Sequence, residues 1–120
     1  MELNAITAVC VHEDGFIQVG WELPESEAEY LLITLPETDA PSDDEFFGHN
    51  HYVEIRDQLY GQYGGLDQLT VLNDHQVALR LNYAIPGLDA ELLVTSTTAI
   101  PPVAMTQFRR AEALVRSNGN

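Results

Sequence analysis

The stretch AITAVCVHEDGFIQVGWEL, Ala5 to Leu23, limits what this chain can fold into more than any other part of it. AITAVCVH (Ala5–His12) is rich in small and β-branched apolar residues and alternates imperfectly. In FIQVGWEL (Phe16–Leu23), Ile17, Val19, Trp21 and Leu23 fall on one face, and Phe16, Gln18, Gly20 and Glu22 on the other. A period of two is the period of a strand, whose successive side chains point to opposite faces. Glu13-Asp14-Gly15 is a turn signal between the two runs. The pattern predicts a β-hairpin with the Ile17–Leu23 set packed inward.

The rest of the chain extends this pattern. Tyr30–Leu35 reads as a third strand and His51–Arg56 as a fourth. Leu66–Leu72 and Gln76–Tyr83 flank Asn73-Asp74-His75 and read as a second hairpin, and Glu91–Thr97 is a further strand after a turn at Pro86-Gly87. PETDAPSDDE (Pro36–Glu45) holds two prolines and five acids with nothing to bury, which is loop composition. Pro101-Pro102 suits the first turn of a helix, where a missing N–H costs nothing. Ala104, Phe108, Ala111, Leu114 and Val115 then recur at helical spacing, with Arg109, Arg110 and Arg116 toward the end that favours cations. The expected fold is α+β, an antiparallel sheet of about six or seven strands with one C-terminal helix packed on a face. No repeat, low-complexity tract or linker divides residues 1–120, so one domain is expected.

Charge narrows the function classes. The chain carries a net charge of -14 and no lysine. Thirteen acidic residues precede the first basic one, Arg56. Such a field repels nucleic acid and anionic lipid, attracts basic proteins and speeds their association. It also confers solubility, which alone would explain it. No segment reads as a secretory signal and no apolar run approaches the ~18–20 residues of a membrane span. Cys10 is the single cysteine, reads as a small mid-strand core residue, and fits a reducing cytoplasm.

YVEIRDQLYGQYGG, Tyr52 to Gly65, packs three tyrosines and three glycines among acidic and amide residues. Period two puts Val53 and Ile55 on the core face and Tyr52, Glu54 and Arg56 on the other, where Glu54 and Arg56 can pair across solvent. Asp57 and Gln58 are placed to hold the backbone of a following loop, and Gly61, Gly64 and Gly65 to let it turn. Tyr60 and Tyr63 would project from that loop as contact residues, since tyrosine offers much contact area for little entropy. A polar latch and a contact site are both consistent with the stretch.

Gly48-x-x-x-Tyr52-x-Glu54-x-x-Asp57-Gln58, followed by Tyr63-Gly64-Gly65 and an alternating hairpin, resembles the bacterial immunity-protein family numbered ten in the polymorphic-toxin classification. The resemblance covers roughly residues 46–82 and rests on several spaced polar residues in order. It implies a small cytoplasmic α+β protein that binds and neutralises a cognate toxin, without catalysis or cofactor. The chain departs from the family pattern at Asp43-Asp44-Glu45, where a Gln-Asp pair is common, and at Ala84–Leu88, where the family has a short Ala-rich helix.

Enzymatic readings have less to stand on. His49 and His51 form a His-x-His pair that could hold zinc only with ligands from elsewhere. Glu54 with Asp57 could serve as an acid–base pair, but no activated nucleophile or phosphate-cradling glycine loop accompanies them. His12 and His75 fall at turn positions and are expected to be solvated. The expectation is a non-enzymatic immunity protein that occludes a basic site on a protein toxin, such as a nuclease cleft. Tyr52, Tyr60 and Tyr63 would be its anchors, beside Glu54, Asp57 and Gln58. Asp39, Asp43, Asp44 and Glu45 would meet the basic surface. An adaptor module of a bacterial complex and a small metal-dependent hydrolase are the alternatives.

Overall fold

The computed structural model describes residues 1–13, 15–24, 26, 28–36 and 51–109. Among these residues, nine strands form two sheets. The strands are β1 (Glu2–Ala5), β2 (Thr7–Glu13), β3 (Phe16–Glu22), β4 (Tyr30–Pro36), β5 (Tyr52–Ile55), β6 (Asp57–Tyr63), β7 (Leu66–Asn73), β8 (Gln76–Leu81) and β9 (Glu91–Ser96). One sheet has the order β2-β3-β4-β5-β6, an antiparallel meander. The other has the order β1-β9-β8-β7, antiparallel except that β1 runs parallel to β9. A helix, α1, is described over residues 102–109. The α+β class and the C-terminal helix are as the sequence predicts. The strands differ in number and layering: β1 and β6 are added, and the set divides in two.

Alternation decides the core. Ile17, Val19 and Trp21 on β3, Leu31, Ile33 and Leu35 on β4, and Val53 and Ile55 on β5 are buried. They join Leu3, Leu69, Val77, Leu79, Leu81, Leu92 and Val94 of the second sheet in one apolar cluster. Helix α1 begins at Pro102 and adds Ala104, Met105 and Phe108 to that cluster. The Phe108 ring stacks on Trp21, with centroids 5.9 Å apart and planes 8° from parallel. Burying a side chain of this size stabilises by about 1.5–3 kcal/mol, which fixes the helix on β3. Cys10 packs against the same core, and burial pushes its thiol pKa up.

The chain passes between sheets at two corners. At the first, Ile6 separates β1 from β2; its N–H donates to Glu22 O at 2.7 Å while Thr97 N–H donates to Ala5 O at 3.1 Å. At the second, Gly64 and Gly65 separate β6 from β7, with Gly64 at φ 67°. A Cβ at Gly65 would lie 2.7 Å from both Tyr83 Cε1 and Val53 Cγ1, so only glycine lets the corner close this tightly. His51 pins it: the buried imidazole accepts a hydrogen bond from Leu66 N–H at Nε2, 3.1 Å away.

Candidate functional site

The outer face of the five-stranded sheet carries the residues of interest. Register places Val11, Gln18, Thr34, Tyr52 and Tyr63 side by side in one row across all five strands. Phe16 sits two residues from Gln18 on the same face of β3. Phe16, Gln18, Thr34, Tyr52 and Tyr63 line an open groove of about 360 Å³. Tyr52 and Tyr63 face each other with ring centroids 4.9 Å apart, tilted by 54°. Thr34 Oγ1 donates to Gln18 Oε1 at 3.3 Å. Phe16 and Tyr63 remain 45% and 68% exposed, a large solvent-facing aromatic area for residues on strands.

Glu54 lies in the next row, paired with Leu32. It is buried, and both carboxylate oxygens are taken. Tyr52 Oη donates to Oε1 at 2.6 Å and Tyr30 Oη donates to Oε2. Burial, followed by these hydrogen bonds and the Glu54 charge, pushes Tyr52 up to about 12 and Tyr30 further in the same direction. Burial and the Glu54 charge push Tyr83 up to about 12. All three remain phenols, able to donate, throughout the neutral range.

Glycine makes room for this arrangement. A Cβ at Gly61 would fall 1.9 Å from Tyr52 Oη and 2.7 Å from its Cζ. The Tyr52 hydroxyl thus lies directly over the backbone of β6. The irregularity of β6 brings Gly61 there. Ile55 pairs with Asp57 and Val53 with Gln62, so residues 58–61 bulge opposite Glu54 alone. Arg56 makes the one-residue turn between the strands at φ 71°, a left-handed conformation unusual outside glycine.

Several expectations are corrected here. The segment after Arg56 is a bulged edge strand, not a loop. Glu54 does not pair with Arg56; the turn sends Arg56 away, and its Nη1 donates to Pro86 O at 2.7 Å. Tyr60 does not project into solvent; it packs half-buried against the core, and its carbonyl accepts from Tyr83 Oη at 2.6 Å. Leu59 projects instead, 79% exposed at the crest of the bulge. Asp57 does act as a latch, since Oδ1 accepts from Leu59 N–H at 2.9 Å, but it and Gln58 are exposed. His12 and His75 are exposed, as expected, but only His75 lies in a turn; His12 is on strand β2, paired with Ile17.

Tyr52, Glu54 and Tyr63 therefore come together, Asp57 and Gln58 stand at the bulge, and Tyr60 turns inward. Asp39, Asp43, Asp44, Glu45 and His49 lie outside the described residues. Tyr30, Phe16, Gln18, Thr34 and Gly61 are the partners that sequence reasoning did not assemble. Among the described residues, no group of three or more His, Cys, Asp or Glu side chains could hold a metal ion. None of the helices described is long and apolar enough to cross a membrane. Compared with protein families, curated proteins and solved structures, the chain has no significant match.

Proposed function

We propose that this chain is a non-catalytic binding protein, a cytoplasmic immunity protein that holds a cognate bacterial toxin on the outer face of its five-stranded sheet. The observation that carries this reading is the aromatic face formed by exposed Phe16 and Tyr63 with partly buried Tyr52 between them, on a chain of net charge -14. Exposed aromatic side chains set on rigid strands are the anchors that protein interfaces use, because little entropy is lost when they are covered. The spaced pattern from Gly48 to Gly65, with its likeness to an immunity family, supports a toxin as the partner. The acidic field supplies the approach: it draws in a basic surface, and a nuclease cleft is such a surface. Neutralisation follows from covering that cleft.

The test is co-expression with the protein encoded beside it, followed by capture. Expected results are a stable complex and loss of the partner's toxicity. Raising salt from ~50 to ~500 mM should slow association at least ~10-fold with a smaller effect on dissociation. A neighbouring product that neither binds nor poisons cells would overturn the reading, and a salt-independent association rate would remove the electrostatic approach from it.

A further inference from the structure

We propose that the groove between Phe16, Tyr52 and Tyr63 receives an arginine side chain of the partner protein. The inference rests on the binding function above and gives it a chemical specificity.

Three aromatic rings border the groove, and two of them, Tyr52 and Tyr63, meet at 4.9 Å. Aromatic faces attract cations through the ring quadrupole. Tyr52 is an unusually good face. Its hydroxyl donates to the Glu54 carboxylate at 2.6 Å, which pushes electron density into the ring. The carboxylate also places a full negative charge one hydroxyl away from the groove. No cationic side chain among the described residues lines this groove. Arg56, the nearest in sequence, is tied to the Pro86 carbonyl. Arg80 lies on β8 of the other sheet.

The rest of the lining selects among cations. Gln18 Oε1 and Thr34 Oγ1 sit in the row beside Tyr52, and each keeps acceptor capacity after their mutual bond. A guanidinium has five N–H donors in one plane, stacks on aromatic faces and sheds water more readily than an ammonium. It can lie against a tyrosine ring while its edge reaches these oxygens. An ammonium offers no flat face to stack. An anionic ligand would meet the chain's net charge of -14 with no compensating base in the groove. The volume of about 360 Å³ accommodates one long side chain with its backbone at the rim. The chain's net charge of -14 gives a basic partner a field of the right sign.

A capped Gly-Gly-Arg-Gly-Gly peptide is the probe, with the citrulline peptide as its neutral isostere. Titrated into isotope-labelled protein, the arginine peptide should shift the amide and side-chain resonances of Gln18, Thr34, Tyr52 and Tyr63 saturably, and the citrulline peptide should not. Tyr63→Leu keeps an apolar group at an exposed position, so the fold should persist while arginine binding weakens about two- to fivefold. No saturable shift, an equal response to citrulline, or unchanged affinity in Tyr63→Leu would overturn the site. The two readings fail separately. A toxin captured equally well by wild type and Tyr63→Leu removes the arginine site and leaves the binding function. Specific arginine binding without capture of any toxin supports the site and removes the immunity role.

Discussion

Replacing Gly61 with alanine should destabilise the protein by about 2–4 kcal/mol, and Tyr52 should be the reason. The φ of Gly61 is outside the left-handed region, so its backbone alone admits alanine without strain. Elsewhere in a strand that change would gain roughly 0.5–1 kcal/mol by restricting the unfolded chain. Here the new methyl would stand 1.9 Å from Tyr52 Oη and 2.7 Å from Cζ. The ring must move, and the hydrogen bond to Glu54 is lost with it. A bond to a charged group contributes about 1.5–3 kcal/mol, and overpacking costs about 1–3 kcal/mol, partly relieved because the ring can swing toward solvent. For a chain of this size each kcal/mol lowers Tm by about 4 °C, so a fall of roughly 8–16 °C is expected. The assay is a double-mutant cycle by urea denaturation. In a Tyr52→Ala background, Gly61→Ala should be near neutral; the nearest atom outside the Tyr52 ring is Gln58 O at 3.2 Å, which needs only a small shift. The coupling energy should therefore be about 2–4 kcal/mol. Equal costs in both backgrounds would show that Gly61 serves the bulge itself and not the tyrosine.

The tyrosine cluster should also fail in alkali. Tyr30, Tyr52 and Tyr83 all have folded pKa values above the unfolded 10, so their contribution is complete below pH 10; that of Tyr52 and Tyr83 disappears as pH rises through about 12, and that of Tyr30 at higher pH still. Urea titrations should give constant stability from neutrality to about pH 9 and a decline beyond 10, and tyrosinate absorbance should lag behind that of free tyrosine until unfolding; loss of stability starting near neutrality would contradict this. Tyr60 and Tyr63 should separate cleanly. Tyr60→Ala removes a group packed on the core and should cost about 1–3 kcal/mol, whereas Tyr63→Ala should stay within about 0.5 kcal/mol of wild type and lose ~2 kcal/mol or more in partner binding. A destabilised Tyr63→Ala that binds normally per folded molecule would move the interface elsewhere.

What could be read from the sequence follows from how local the signal is. The hairpins around Gly15 and His75 show because alternation and turn residues lie within a few positions of each other. Helix α1 shows because Pro102, Ala104 and Phe108 obey one period. Strand β1 does not show: it has four residues, two of them buried, and it pairs with β9, some ninety residues away in a parallel pairing no local pattern records. Strand β6 does not show either. It is an edge strand whose residues 58–61 bulge, so Leu59 is exposed and Tyr60 is not, and period two fails. That failure placed Tyr60 outside and missed that Gly61 clears space for Tyr52. Tyr52 and Glu54 on one face were legible. Tyr30 as the second donor to Glu54, and Gln18 and Thr34 beside Tyr52, depend on cross-strand register and become visible only once β3, β4 and β5 are aligned.

The division of strands between the sheets also sets an order of assembly. All five strands of the β2–β6 meander come from one unbroken run of sequence, each beside its predecessor. Pairings between consecutive strands are short in sequence range and form early. The second sheet cannot follow by itself, because β1 waits for β9, and the Trp21 ring waits longer still for Phe108. During synthesis the face that carries Phe16, Tyr52 and Tyr63 can thus take shape while its opposite face, with Trp21, Leu31 and Ile33, still lacks a cover. A ribosome-bound chain ending near residue 70 should expose a folded outer surface over an unprotected apolar one, and would be the species most prone to chaperone capture or aggregation.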